Sequence, residues 1–420
     1  MAESTIRSQL EITREQMGWV MSAFFWTYAV FQIPSGWLSD RHGARLTLPL
    51  YAGLWSLATI LFAAAGLFVI GAPTRDWLPA DPAVRATMIV AWLITARLLA
   101  GAAQAGVFPC AAMIFSSWLP TTRRAAAAGF LGGAMQVGFV LGMFATGVLL
   151  AYLSWGWIFA WMAVPGIVWG ILFYAWFRET PAEHPAVNSA ERTLLEQTTG
   201  EHGGRDEPKL PTPWLRLAAS PPMWCICGQQ FFRAAGYIFY ATWFATFLQE
   251  DRGVTVVASG VLGAVPLVAG IVGNPLGGIV ADAILSRTGS HRLAKQGVGV
   301  VSMLGCAAFI FLAYGVRDAT IAALIIGLGS FCGSLAGGIS YSTTIDMGGR
   351  HVPTIFATMN MSGNIGAAVF PIAVPLLLSW TGENWNAVLL LFGGIYVAAA
   401  ACWLFLNPHG TFAGQSLMGR

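Results

Sequence analysis

Along this chain, long apolar runs alternate with short polar breaks. Eleven such runs lie near 19–38, 46–70, 88–117, 124–152, 156–177, 222–248, 256–284, 293–315, 319–345, 352–379 and 386–406. A helix needs about 20 mostly apolar residues to cross a bilayer, and each run reaches that length with room for tilt. One polar stretch is longer than the rest. From Arg178 to Arg216 the chain is rich in Glu, Pro, His and Gly, a composition that reads as a connecting loop. The pattern therefore divides the chain into a five-span N-terminal half (1–177), a central loop (178–221), a six-span C-terminal half (222–406) and a tail (407–420).

Composition sharpens the class. Of the 420 residues, 56% are apolar and 10% charged, with a mean hydropathy of +0.65. Soluble domains carry about 25% charged residues, so the expectation is an all-α, polytopic membrane protein. The net charge of +3 comes from basic residues dispersed among loops and gives no reason to expect a nucleic-acid partner. Assigning alternate breaks to opposite faces puts fourteen Lys and Arg on one side and six on the other, with two inside runs. Positive residues concentrate on the cytoplasmic side. The C-terminus is then expected in the cytoplasm and the N-terminus, as given, in the periplasm of a bacterial inner membrane. The six cysteines all sit inside apolar runs, where they read as small buried hydrophobes and not as a disulfide framework or metal site. No metal and no cofactor is expected.

Gly36-Trp-Leu-Ser-Asp40-Arg41-His-Gly43-Ala-Arg45 joins the first two runs, and a degraded copy, Gly277-Gly278-Ile-Val-Ala-Asp282 followed by Arg287, Gly289 and Arg292, stands one half-chain later. The glycines permit a tight turn, Asp40 is placed to cap or counter the start of the next helix, and Arg41 and Arg45 hold the loop on the cytoplasmic side. This pattern resembles the loop signature of the major facilitator transporters. The related halves are what internal repeats in secondary transporters produce.

The resemblance narrows to the anion:cation symporter family. Ser22-Ala-Phe-Phe-Trp26-Thr-Tyr28-Ala-Val-Phe-Gln32-Ile-Pro34-Ser-Gly36, Arg97-Leu-Leu-Ala-Gly101-Ala-Ala-Gln104-Ala-Gly106-Val-Phe-Pro109, Trp118-Leu-Pro120 with Arg123-Arg124, and the loop from Arg178 to Asn188 are all similar to segments of that family. It implies a fold of two six-helix halves and a substrate among aldonates, hexuronates, phthalate-like acids, sialic acid or glutamate. It also implies that the family's first helix is absent here, because Ser4 to Gln16 looks like the loop that follows it. A start placed too far downstream is expected rather than a truncated gene, since the remaining motifs are undamaged.

Charge inside the runs points to a site. A charged side chain at mid-bilayer costs about 2.5–3.5 kcal/mol even on the gentle insertion scale and marks function by default. Arg97 and Arg233 lie deep in runs of different halves, while every acidic residue maps to a loop or a run end. The substrate's carboxylate is therefore the expected counter-charge, held by a guanidinium fork; bonding to backbone carbonyls, or to an acid in the absent helix, is the competing reading. Gln104 is seven residues from Arg97 and shares its face. The resemblance places a proton-carrying glutamate there in many relatives, but glutamine does not titrate. A co-transported proton or sodium ion is thus left open.

Polar residues inside the runs (Tyr28, Gln32, Gln136, Gln229, Tyr237, Tyr240, Ser342, Asn360 and Asn364) suit either a cavity wall or helix–helix hydrogen bonds. Tyr28, Gln136, Asn364 and Tyr237 are retained, with Arg97, Arg233 and Gln104, as the substrate-binding set. Gly129/Gly133 and Gly138/Gly142 predict close helix packing.

An intramembrane enzyme is disfavoured. No His-Glu-x-x-His motif occurs, and no histidine lies in a run to activate a nucleophile. The expectation is a monomeric secondary carrier, working by alternating access and taking up a small organic anion such as a sugar acid. An anion-sensing receptor and an uncoupled facilitator are the alternatives.

Overall fold

The computed structural model describes residues 3–70, 79, 81–119, 121–190, 193, 214–348, 352–407 and 412. Among these, the α and tighter or wider helical turns account for all regular structure. The helices are α1 (Glu3–Leu10), α2 (Arg14–His42), α3 (Ala44–Ile70), α4 (Pro82–Gln104), α5 (Val107–Trp118), α6 (Thr121–Leu149), α7 (Trp155–Trp176), α8 (Trp214–Ala218), α9 (Pro221–Thr242), α10 (Phe244–Glu250), α11 (Val256–Thr288), α12 (Val298–Tyr314), α13 (Ala319–Gly348), α14 (Val352–Trp380) and α15 (Trp385–Phe405). Half of the central loop and nearly all of the tail lie outside the described residues.

Eight of the described helices are long and apolar enough to cross a membrane. They cover eight of the eleven runs; α2, α6 and α9 correspond to the other three. Of these three, at 29, 29 and 22 residues, α6 has an apolar described stretch, Gly133–Leu149, that is shorter than a full span. Polar residues mark the other two: Arg14, Glu15, Gln32, Asp40, Arg41 and His42 in α2, and Gln229, Gln230 and Arg233 in α9. The long helices also carry large exposed apolar groups, such as Trp161 at 65%, Trp176 at 68% and Val301 at 71%. Such side chains are tolerated where the solvent is hydrocarbon, so the chain is a multi-pass membrane protein.

Two expected single spans are broken. The run at 88–117 is α4 and α5, separated at Ala105 and Gly106. Pro109 supplies no N–H in the first turn of α5, which removes a bond a continuous helix would need. The run at 222–248 is α9 and α10, with Trp243 between them.

The helices form two compact units. One comprises 5–135 and 152–210; the other comprises 1–4, 136–151 and 211–420. The border at 135/136 falls within α6. In the first unit α3 packs on α7 and α4, and α2 packs on α4. Trp155, fully buried, fills the α3–α7 seam with Phe62 at 5.8 Å between ring centroids. In the second unit α11 packs on α13, α9 on α14 and α15, and α12 on α13 and α15. Its core is aromatic: Phe239 lies 4.7 Å from Phe392, and Tyr240 lies 5.2 Å from the same ring. Edge and offset contacts of this kind add to area burial. Tyr240, read as a cavity candidate, is therefore core.

Local rules explain the ends of α2. Thr13 and Gln16 form a reciprocal capping box, at 3.1 and 2.8 Å. The helix stops at Gly43, whose φ of 81° is available to glycine without strain.

All six cysteines are free. The expected close packing is not seen at Gly133, Gly138 and Gly142, which have nothing among the described residues within 4 Å of where a side chain would start; the surroundings of Gly129 lie outside the described set. Close approach occurs instead at Gly101, where a Cβ would strike the carbonyl of Phe24 and the hydroxyl of Thr27.

Candidate functional site

Each unit holds one of the two in-span arginines. In the first, the bare backbone of Gly101 lets α4 press against α2, and Thr27 donates across the seam to the Leu98 carbonyl at 2.8 Å. That contact sets Phe24 beneath Arg97, whose guanidinium carbon lies 5.0 Å from the ring centroid. Tyr28, one turn further along α2, stacks on Phe24 at 5.7 Å. Arg97 is half-buried and makes no hydrogen bond or ion pair with any described residue. The ring contributes about 0.5–2 kcal/mol, short of the membrane cost of a charge. Gln104 ends α4, half-buried, without a hydrogen-bond partner among the described residues.

In the second unit, Arg233 sits midway along α9 and donates through Nη2 to Gln230 Oε1 at 2.9 Å. Its Nε is buried with no partner among the described residues, and no carboxylate pairs with it there. Tyr237, one turn on and thus on the same face, donates to Gln136 Oε1 of α6 at 2.6 Å. Asn274 of α11 points its Oδ1 to this neighbourhood, buried and likewise unpartnered. The structure thus gathers Arg233, Gln230, Tyr237, Gln136 and Asn274.

Asn364 bonds within its own helix, Nδ2 to the Asn360 carbonyl at 3.0 Å, and stands beside Gly363, which packs on Gln230. Gln229 is fully buried and bonds back to the Ile226 carbonyl. Ser342 is exposed and bonds to Ile339 of its own helix.

The loop motif is held from elsewhere in the first unit. Gly43 gives the turn; the backbone N–H groups of Ala44 and Arg45 donate to the Glu179 carboxylate at 3.2 and 2.7 Å. The Glu179 carboxylate thus stands at the start of α3 and compensates the positive end of the helix. Asp40 lies in α2, its side chain outside the described set. Arg45 donates to the Tyr174 carbonyl at 3.3 Å and stacks on that ring, while Arg41 lies over Trp37. A Cβ placed at Gly36 would sit 3.7 Å from Pro109, an ordinary contact distance. Asp282 is exposed on the last turns of α11.

An apolar cleft of about 290 Å³ lies between α5 and α7, lined by Ile114, Phe115, Trp118, Phe173, Trp176 and Phe177 among others. It offers no charge or hydrogen-bonding lining to an anion and includes neither arginine.

Sequence reasoning missed Phe24, Gln230, Asn274 and Glu179. Gln230 had a signal, since it stands three residues before Arg233. Asn274, polar within a glycine- and proline-rich apolar run, had a weaker one.

Comparison with known proteins adds three findings. The model of the Major Facilitator Superfamily matches residues 1–355. Among curated relatives, the "Probable sulfoacetate transporter SauU" of Cupriavidus necator is 30% identical over 414 residues, covering 97% of this chain and 88% of the relative. The "Probable galactarate/D-glucarate transporter GudP" of Bacillus subtilis is 27% identical over 409 residues, covering 96% and 86%. The crystal structure of a D-xylose-proton symporter superposes with a TM-score of 0.69 at 15% identity, over 99% of this chain and 94% of that one, a likeness of fold alone.

Proposed function

Because this chain belongs to the Major Facilitator Superfamily, we propose that it is a secondary carrier, working by alternating access, that takes up a small organic anion. The observation that carries the anion is Arg233: a guanidinium midway along a span, with Nε buried and unpartnered and no carboxylate beside it among the described residues. A buried charge without a partner is costly. A carboxylate or sulfonate arriving from water supplies the missing charge and bonds the fork in a geometry that an ammonium does not offer. Arg97 in the other unit, held among the described residues by the face of Phe24, is proposed as a second substrate-contacting cation. Relatives named for sulfoacetate and for galactarate and glucarate support the substrate class.

Gln104 carries no titratable proton, so no proton coupling is assigned to α4. The excess of Lys and Arg on one set of loops supports a cytoplasmic C-terminus in a bacterial inner membrane. The halves 1–177 and 222–406 are the proposed rocking bodies, joined by the loop 178–221.

The test is uptake of galactarate, glucarate and sulfoacetate into proteoliposomes. Arg233→Gln should abolish uptake of whichever anion the wild type carries, with melting temperature preserved. Kinetics unchanged from wild type would overturn the assignment.

A further inference from the structure

Arg233 is held by a neutral group, where two other buried bases of its unit are held by acids. Lys295, 5% exposed, pairs with Asp346, and Arg252, whose side chain is 8% exposed, pairs with Asp251. Arg233 instead donates through Nη2 to Oε1 of Gln230 at 2.9 Å, with no carboxylate beside it among the described residues. Gln230 stands one turn back on the same face of α9, and a glutamate there would reach the same nitrogen.

The amide is itself confined. Gln230 is 4% exposed and lies against α14, where a Cβ at Gly363 would sit 3.0 Å from its Cγ and 3.1 Å from its Nε2. Two neighbouring contacts keep α14 in that place. The hydroxyl of Ser362 donates to the Cys227 carbonyl at 2.9 Å, and the backbone of Gly366 comes so near that a Cβ would strike the Phe231 carbonyl. The guanidinium also meets α13, where a Cβ at Gly337 would lie 3.5 Å from Nη1. The bond to Arg233 is the one tertiary hydrogen bond of the Gln230 side chain among the described residues. Packing thus fixes the amide, and its acceptor serves the arginine.

We propose that Gln230 is a positioning residue for the anion site, aiming the Arg233 guanidinium while leaving its charge uncompensated. The proposal rests on the anion reading above and adds how the cation is kept in place yet available. An amide oxygen accepts a hydrogen bond but carries no charge. The guanidinium is therefore oriented, and its full charge remains for an arriving carboxylate or sulfonate. A glutamate in the same place would close an internal ion pair, which holds the arginine more strongly. The substrate would then have to displace an anion already seated. Stability and binding pull in opposite directions at this residue, which a packing role alone would not produce.

The experiment uses the full chain, purified in detergent. Melting temperature, and equilibrium binding of galactarate, glucarate and sulfoacetate, are measured for wild type, Gln230→Glu, Gln230→Met and Arg233→Gln. Gln230→Glu should melt a few degrees above wild type, because a buried charge gains its partner. It should also bind the anion about tenfold or more weaker. Gln230→Met, similar in length and without the acceptor, leaves the guanidinium charged but unaimed. It should melt at or below wild type and bind with an affinity between the other two. Adding Gln230→Glu to Arg233→Gln should bring no gain in melting temperature, which ties the gain to the pair.

Gln230→Glu binding as wild type does, or melting below it, would overturn the role of Gln230. So would wild-type affinity in Gln230→Met, or a gain in melting temperature that persists without Arg233. Wild-type binding that is lost in Arg233→Gln leaves the anion reading standing in each of these cases. Binding of none of the three anions by the wild type, or binding unchanged in Arg233→Gln, would overturn both.

Discussion

The hydroxyl of Tyr237 donates to Oε1 of Gln136 at 2.6 Å, joining α9 to the part of α6 that belongs to the same unit. The bond fixes Tyr237 one turn from Arg233. It is also the helix–helix hydrogen bond that competed with a cavity role when these residues were read from sequence.

Tyr237→Phe should therefore act first on stability. A helix–helix hydrogen bond in a membrane protein is worth about 0.6–1.7 kcal/mol. Thermal unfolding in detergent is expected to show a melting temperature lower by a few degrees, with substrate affinity reduced less than by Arg233→Gln. An effect on affinity as large as that of Arg233→Gln, at unchanged stability, would place the hydroxyl in direct substrate contact.

Arg97→Ala gives up about 0.5–2 kcal/mol of contact with Phe24 and relieves a comparable or larger cost of holding charge in the membrane. Yield and melting temperature should be close to wild type while uptake is lost. A variant that aggregates would point to a structural role for this arginine.

Gln104→Glu should create pH dependence where this position now gives none. The neutral carboxyl resembles glutamine, so uptake at low pH should approach wild type. As pH rises through the carboxyl's pKa, about 4.3 when unperturbed, an anion forms two turns from Arg97 and competes with the substrate. Initial uptake rates should then fall with rising pH in the variant alone. A flat profile would separate position 104 from the pathway.

Gly43→Ala meets two obstacles: φ of 81°, and the Glu179 carboxylate in the space a Cβ would need. A strained backbone position costs about 1–3 kcal/mol, so expression and melting temperature should both drop. Glu179→Ala should cost about 0.5–2 kcal/mol by exposing the start of α3. The double variant should lose less than the sum, since removing the carboxylate also removes the clash.

How much of this was legible depended on how strongly each residue contrasts with its surroundings. Arg97 and Arg233 stand out because a charge in an apolar run has few structural explanations. The turn at Gly43 was equally plain, since glycine after a charged helix end ends helices. Asn274 was not, because a neutral amide in a run of Gly, Pro and Val resembles packing; only the lack of a partner for its oxygen sets it apart. Glu179 was invisible for a different reason. Its contact spans 134 residues, and nothing in local pattern announces a cap supplied from so far along the chain. The glycines at 133, 138 and 142 erred in the opposite sense: spacing suited to helix contact does not oblige a neighbour to be there.

The hold of Glu179 on α3 has a consequence for dividing the gene. The stretch just after α7 is fastened to the first unit twice, by that carboxylate and by His184, buried against the rings of Trp118 and Trp176. Two co-expressed fragments should reassemble when the cut falls beyond residue 193, since the upstream fragment then keeps its own fastening. A cut at 177 hands both residues to the wrong fragment, and the upstream piece is left with a bare helix start.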